Sequence, residues 1–200
     1  MAERRLLDLF CGAGGAAMGY HRAGFEVVGV DLRPQPHYPF EFHQEDALKF
    51  PMEGFDAIHA SPPCQHRSRA TAWRGSRDSW PDLLVPTLDR LGDRARAPWV
   101  VENVVEAGTL LPDLLLCGTA FGLPVMRHRR FGLSWDPSAL TPPCAHESVI
   151  PFDHGSTAPE SAYRAALGVS WMTVQESRQA IPPAYTEWIG RQLMALLTDR

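Results

Sequence analysis

Residues 6–31 read LLDLFCGAGGAAMGYHRAGFEVVGVD, and they are the most informative part of the sequence about the fold. An apolar run at 6–10 leads into a glycine-rich turn at 11–15, and an alanine-rich stretch then leads to a second apolar run that ends on Asp31. The order predicts strand, glycine turn, helix, strand and acid, as in nucleoside-binding α/β units. Asp31 follows Gly12 by 19 residues, close to the ~20 expected when the acid binds a ribose. The motif alone does not choose between nucleoside cofactors, and a turn without a ligand stays open.

A second feature is the turn Pro62-Pro63-Cys64-Gln65, which comes after an apolar run at 55–60 that predicts a buried strand. The prolines fix φ and remove two amide donors, so the strand cannot continue as sheet. Cys64 is therefore predicted on a stiff turn at the carboxyl end of a strand, where ligands bind in parallel α/β sheets. For this cysteine taken alone, a place in the core is the alternative.

A third apolar run, 99–101, ends abruptly in Glu102 and Asn103. Burying a carboxylate is costly, and partial desolvation raises its pKa. In a cleft, such a group can donate a proton near neutral pH. A strand end that faces solvent is the alternative.

Taken together, these segments resemble the ordered motifs of the cytosine-C5 DNA methyltransferase family. The matching segments are 8–15, 61–65, 102–104, 127–131 and 179–185. Two positions depart from the family pattern, since Val125 stands where a glutamine is usual and Gln179 where an asparagine is more frequent. The resemblance covers nearly the whole chain. It implies an α/β class fold of the Rossmann-like methyltransferase type, with a mostly parallel central sheet and helices on both faces.

The resemblance implies four catalytic residues, which are Cys64, Glu102, Arg127 and Arg129. The Cys64 thiolate would attack C6 of cytosine and make C5 nucleophilic, which requires a site that stabilises the anion. Glu102 would hydrogen-bond N3 and the exocyclic amine, and the two arginines would position the base and Glu102. Because the target atom is buried in a duplex, the base must be flipped out.

The cofactor implied by the resemblance is S-adenosyl-L-methionine, with S-adenosyl-L-homocysteine as product, lying over the glycine loop. Phe10 would face the adenine, Asp31 the ribose hydroxyls and Asp46 the adenine amine. A helix cap ahead of 47–50 is an equally good interpretation of Asp46. The implied cofactor-binding residues are Asp8, Phe10, Cys11, Gly12, Ala13, Gly14, Gly15, Asp31, Leu32, Asp46, Ala47, Ser61, Pro63, Gln179, Ala180 and Ile181.

Double-stranded DNA is the implied partner, bound by an arginine-rich loop that follows Cys64. Arginines there would contact phosphates and close behind the flipped base, although a solvated loop is the usual interpretation of such a run. The implied substrate-binding residues are Pro62, Gln65, Arg67, Arg69 and Asn103.

Composition sets limits on these expectations. With 200 residues and 44% hydrophobic content, a single catalytic domain over 1–200 is expected. A net charge of −4 means that any DNA-binding face is local. The four cysteines form no C-x-x-C pair, and Cys144-Ala145-His146 is too short a signal by itself, so no metal is expected. Without a signal peptide or long apolar span, the prediction is a cytoplasmic monomer in a bacterium or phage-infected cell, with no membrane contact.

Residues 133–171 are the only room for a target-recognition insert, and prolines and glycines interrupt them too often for an independent core. We therefore expect a reduced insert and a short or relaxed target site. The alternatives are an RNA (tRNA) cytosine methyltransferase, an enzyme that adds a different group to C5, and an inactive cofactor-binding partner subunit. A nicotinamide dehydrogenase is disfavoured, because nothing offers a hydride-transfer site. The predicted helices cover 16–23, 78–94, 159–167 and 182–197.

Overall fold

A computed structural model describes residues 3–68, 75, 77–108, 113–137, 139, 141–147, 149–150 and 159–198. Its core is a seven-stranded sheet, whose strands are β1 Arg4–Leu9, β2 Phe25–Asp31, β3 Glu41–Gln44, β4 Ala57–Ala60, β5 Trp99–Asn103, β6 Asp113–Leu116 and β7 Arg129–Leu133. They lie in the order β3-β2-β1-β4-β5-β7-β6. Only β7 runs antiparallel to its neighbours, β5 and β6. The sheet is therefore mostly parallel, as predicted.

Helices cover both faces of this sheet, because successive strand residues point to opposite sides. The α-helices are α1 Gly15–Arg22, α2 Leu84–Arg94, α3 Glu160–Leu167, α4 Val174–Gln179 and α5 Pro183–Thr198. Leu6 packs with α1 and α5 on one face, whereas Leu7 packs with α2 on the other. Short 3₁₀ turns lie at Arg77–Ser79, Val105–Ala107 and Gly118–Phe121. The predicted fold class is confirmed.

The helix predicted over 78–94 is wrong in its first part, since α2 begins only at Leu84. The Asp82 carboxylate accepts the Leu84 amide at 3.3 Å and pairs with Arg67, which holds the preceding residues outside the helix. The helix suggested over 47–50 is a turn instead. The other three predicted helices agree with the structure within one residue at each end.

Two packing contacts bring the last third of the chain to the glycine loop. A Cβ at Gly19 of α1 would collide with the Thr186 hydroxyl and the Pro183 carbonyl of α5, so only glycine allows this approach. The indole of Trp171 donates a hydrogen bond to the Ala13 carbonyl at 3.0 Å. Among the described residues, no helix is both long and apolar enough to span a membrane.

Candidate active site

The carboxyl ends of β1, β4 and β5 lie side by side at one edge of the sheet. This edge brings together the glycine loop after β1, the Cys64 turn after β4 and Glu102 near the end of β5. Such an edge is where ligands bind in open α/β sheets. The three segments named by the sequence therefore meet in one place.

A cavity of about 370 Å³ opens beside the glycine loop. This volume lies within the ~300–1,000 Å³ typical of small-molecule sites. On one side the lining comes from the loop, including Phe10 and Gly12, and from Ser61; on the other it comes from Gln179 and its neighbours. The predicted cofactor residues that line it are Phe10, Cys11, Gly12, Ala13, Gly15, Ser61, Gln179, Ala180 and Ile181.

The backbone of the glycine loop is strained at Phe10. Its φ of 58° is the one positive value at a non-glycine residue among the described part of the chain. Such a conformation costs of order 1–3 kcal/mol and persists where the surroundings impose it. Gly12 and Gly14 follow with φ of 49° and 82°, which glycine adopts readily. This sharp turn leaves both the Phe10 side chain and the loop backbone at the cavity wall.

Asp31 holds the loop from the end of β2. Its carboxylate accepts the amide of Gly12 at 3.1 Å and the amide of Arg33 at 2.9 Å. Each carboxylate oxygen has two lone pairs, so one remains on each for a ligand hydroxyl. The geometry is compatible with a ribose contact.

Other predicted cofactor residues lie away from the cavity wall. Asp8 is fully buried beneath the loop, and neither of its carboxylate oxygens has a hydrogen-bond partner among the described residues. Burial, with a smaller contribution from the charge of Asp31, raises the pKa of Asp8. Leu32 is 71% exposed, and Ala47 packs in the core on the α2 face. The Asp46 carboxylate accepts the Leu48 amide at 2.9 Å and pairs with Lys49, which is a turn-capping arrangement.

The Cys64 turn is fastened to the neighbouring strand by Asn103. The Asn103 amide group is fully buried and donates to the Pro62 carbonyl at 3.1 Å. The amides of Arg67 and Ser68 both donate to the Cys64 carbonyl. In this structure Asn103 therefore positions the turn, while its role in binding substrate stays a prediction.

The surroundings of the Cys64 thiol shift its pKa in opposite directions. Burial is the largest influence and raises its pKa, as does the nearby Glu102 carboxylate. Arg129 and Arg127 act in the opposite direction without cancelling these effects. Without a substrate, the site therefore favours the thiol over the thiolate that the family chemistry requires.

Glu102 is paired with one of the predicted arginines. Arg129 Nε lies 3.1 Å from Glu102 Oε1, and both side chains are largely buried. Burial raises the pKa of Glu102, whereas Arg129, Arg127 and a hydrogen bond from Ser61 lower it. The net direction is upward, as the sequence suggested for a carboxyl group that shares or donates a proton.

A buried chain of hydrogen bonds, which sequence reasoning missed, runs from Tyr20 through His59 to Ser61, next to Glu102. Tyr20 Oη lies 3.0 Å from His59 Nδ1, and His59 Nε2 lies 2.7 Å from Ser61 Oγ. Burial lowers the pKa of His59 to about 3, so the ring is neutral at neutral pH. In a neutral imidazole one ring nitrogen donates and the other accepts, so His59 links the Tyr20 and Ser61 hydroxyls. A histidine inside the apolar run 55–60 was the available sequence signal.

Arg127 is held by residues far away in the chain. Its guanidinium donates to the Tyr163 hydroxyl at 3.2 Å and to the Arg178 carbonyl at 2.9 Å. Its own carbonyl accepts the Tyr185 hydroxyl at 2.5 Å. Burial lowers the pKa of Arg127 to about 10, which leaves it charged at neutral pH. Val125, the departure from the family glutamine, is buried against Tyr163 in the same region.

The predicted substrate loop is described only in part. Gln65 Oε1 is buried and has no partner among the described residues. Arg67 donates two hydrogen bonds to Asp82 and one to the Ala107 carbonyl, so these contacts occupy it here instead of a phosphate. Arg69 lies outside the described residues. The pairing with Asp82 was not predicted, because the two residues are distant in sequence.

Comparison with known proteins identifies the family. The model of C-5 cytosine-specific DNA methylases matches residues 4–107, just over half of the chain. The chain belongs to this family. Membership confirms the predicted family and supports S-adenosylmethionine as the cofactor, since that is the methyl donor of the family.

Individual relatives agree with this assignment. The Type II methyltransferase M.AplI of Arthrospira platensis is 24% identical over 93% of this chain. M.FnuDI of Fusobacterium nucleatum is 30% identical over 50% of it. The chain spans only 58% and 32% of the lengths of these two relatives. The crystal structure of S. pombe Dnmt2 methyltransferase has a TM-score of 0.64 with 13% identity, over 98% of this chain and 99% of that one, which shows the shared fold.

Proposed function

We propose that this chain is a DNA cytosine-C5 methyltransferase that transfers a methyl group from S-adenosylmethionine to a flipped cytosine through a covalent bond between Cys64 and C6. The observation that carries the proposal is the arrangement at the sheet edge. The Cys64 turn lies beside the buried Glu102–Arg129 pair, and the cavity of the glycine loop adjoins both through Ser61.

The cofactor fits the cavity by its chemistry. Asp31 offers carboxylate oxygens to ribose hydroxyls, and the sharp turn at Phe10 leaves an aromatic ring at the wall where an adenine could stack. When bound, S-adenosylmethionine supplies an electrophilic methyl group. The residues of the chain then have to place C5 of the cytosine in line with that group.

Cys64 and Glu102 act together on the base. As the sulfur bonds to C6, electron density moves through the ring toward N3, where a hydrogen bond from the Glu102 carboxyl group stabilises it. C5 becomes nucleophilic and accepts the methyl group. A base removes the C5 proton, the Cys64–C6 bond breaks, and the ring regains its double bond. Because the site without substrate favours the thiol, Cys64 loses its proton only as the cytosine enters the site.

The experiment that tests this proposal is a covalent trap. DNA containing 5-fluorocytosine should form a stable adduct with the protein in the presence of S-adenosylmethionine, because fluorine at C5 cannot leave as a proton does. Cys64→Ser should form no adduct while binding S-adenosylhomocysteine as the parent protein does. An absence of adduct in a folded, cofactor-binding protein would refute the proposal, and an adduct with tRNA alone would move the substrate to RNA.

We also propose that the chain is one catalytic domain with residues 133–171 as a reduced target-recognition insert. Since each good bidentate base contact supplies only ~1–3 kcal/mol of discrimination, so small an insert should select a short site. Bisulfite sequencing of exposed DNA tests this. A strict site of about six base pairs would contradict it. Action on double-stranded DNA as a cytoplasmic monomer stays a prediction.

A further inference from the structure

Four potential metal ligands converge next to the β6–β7 pair, outside the site described above. Cys117 follows β6, His128 precedes β7, and Cys144 and His146 come from the segment after β7. Their ligand atoms all lie within 4.8 Å of one another. Cys117 Sγ is 3.5 Å from His146 Nε2, and Cys144 Sγ is 3.8 Å from His128 Nε2.

We propose that Cys117, His128, Cys144 and His146 form a structural zinc site. With Zn–S bonds of about 2.3 Å and Zn–N bonds of about 2.0–2.1 Å, tetrahedral geometry places a sulfur and a nitrogen ligand ~3.6 Å apart. The two measured separations of 3.5 and 3.8 Å lie on either side of this value. The other pairs of ligand atoms lie within 4.8 Å of one another, so they move closer together when the shell closes around the ion.

The chemistry of the four groups also favours zinc. Two thiolates and two neutral imidazoles neutralise a divalent ion and fill a tetrahedral shell, which is the composition of a closed structural site. Binding releases the two thiol protons. The Thr119 hydroxyl lies 3.4 Å from Cys117 Sγ and can donate to the thiolate from outside the shell. Both cysteines are free, so no disulfide competes in this structure.

The position of the site indicates what the ion does. It ties the segment at 144–146 to the end of β6 and the start of β7, and His128 lies between Arg127 and Arg129 in the sequence. A segment too small for its own core gains most from such a cross-link. The ion would therefore fix this segment relative to the two arginines. The consequence for catalysis depends on the proposed function, whereas metal binding itself does not.

The direct test is metal content. The full chain, purified without added chelator, should carry one zinc per molecule by plasma mass spectrometry. Cys144→Ser and His146→Ala should lose most of it; both side chains are exposed, which limits the effect of either change on folding. Cys64→Ser and His43→Ala, which lie outside the cluster, are the matched controls and should keep it. Zinc-free parent protein, or equal zinc in Cys144→Ser and its control, would overturn the proposal.

A second measurement identifies the ligands. Cobalt exchanged into the parent protein should give the intense thiolate-to-cobalt charge-transfer band and the visible bands of a tetrahedral site. Cys144→Ser should weaken the charge-transfer band, and Cys64→Ser should leave it intact although that variant is expected to lack methyl transfer. A cobalt spectrum without thiolate bands would refute the site. Because zinc retention and methyl transfer are read separately, failure of either proposal is distinguishable.

Discussion

The two halves of this sheet edge, the glycine loop and the Cys64–Glu102 region, are built from different interactions. On the cofactor side, the site is made of backbone: left-handed turns, amides that donate to Asp31, and glycines that allow close approach. On the side of the predicted catalytic residues, it is made of charged side chains that are buried and paired, above all Glu102 with Arg129. The first half should therefore be sensitive to the volume of a side chain, and the second to its charge and hydrogen bonds.

The largest expected effect is on the charge side. Glu102→Gln should lower the rate of methyl transfer by about 10²–10⁴-fold, because it removes the proton donor while keeping the volume. Affinity for S-adenosylhomocysteine should stay nearly unchanged. The variant should also lower the pKa of Cys64, since the Glu102 carboxylate raises it. Alkylation by iodoacetamide at neutral pH should therefore become faster as transfer becomes slower.

The control for this prediction is Glu53→Gln, an exposed glutamate remote from the pair. It should leave both the transfer rate and the alkylation rate unchanged. If Glu102→Gln slowed alkylation as well as transfer, the electrostatic coupling between the two residues would be wrong.

Sensitivity to side-chain volume is tested with two helix glycines: Gly19 in α1, the helix that follows the glycine loop, and Gly92 in α2 as its control. Gly19→Ala should destabilise the protein by ~1–3 kcal/mol through overpacking between α1 and α5. At Gly92 of α2, a new Cβ meets nothing within 4 Å, so Gly92→Ala should stabilise by ~0.5–1 kcal/mol. Urea unfolding measures both. The same sign for the two substitutions would contradict the packing argument.

The buried hydrogen-bond chain predicts a pH effect on stability. His59 has a pKa of about 3 in the folded protein, against an ordinary value of 6.5. Between these two pH values, the unfolded chain therefore binds a proton that the folded protein does not. The free energy of unfolding should therefore fall as pH drops from 6.5 toward 3. His59 contributes a slope of up to about 1.4 kcal/mol per pH unit.

Substitution of His59 by glutamine isolates this contribution. The histidine is replaced by a group that does not titrate, so the slope below pH 6.5 should become shallower. The measurement is urea unfolding across this pH range for the variant and its parent. An unchanged slope would show that the ring is not held neutral. The control is His37→Gln, an exposed histidine paired with Glu176.

The smallest expected effect concerns Arg67. If this residue leaves Asp82 to contact a phosphate, Arg67→Met should reduce the slope of log affinity against log salt by about 1. Arg191→Met removes an exposed arginine on α5 and should not change the slope. Equal slopes for both variants would show that Arg67 stays with Asp82 when DNA binds.

The sequence was most informative where a motif is contiguous. The strands β1, β2, β4 and β5, the helix α1 and the Cys64 turn are local patterns of hydrophobic period, glycine and proline, and they were predicted within a few residues. The strands β6 and β7 were not predicted. The start of α2 was not, since Asp82 is held by Arg67 from another segment. The support of Arg127 by Tyr163 and Arg178 likewise depends on a long-range contact.

The metal cluster shows the same limit. From the sequence, the short motif Cys144-Ala145-His146 was judged too weak a signal, and no metal was expected. The zinc site proposed above departs from that expectation. The other two ligands are supplied at positions 117 and 128, on either side of the β6–β7 connection. The spacing between these two residues and the pair Cys144 and His146 matches no recognised metal-binding motif, so the sequence did not indicate the site.

From the amino-acid sequence alone came the family and the sheet-and-helix architecture, together with the prediction that Cys64 and Glu102 are catalytic. These follow from short segments whose backbone preferences act locally. Only the folded structure shows that burial raises the pKa of Cys64, that Tyr20, His59 and Ser61 are linked, and that four potential metal ligands converge. Burial, the proximity of charges and the geometry of ligands depend on distances between residues that are far apart in the sequence, and only folding sets those distances.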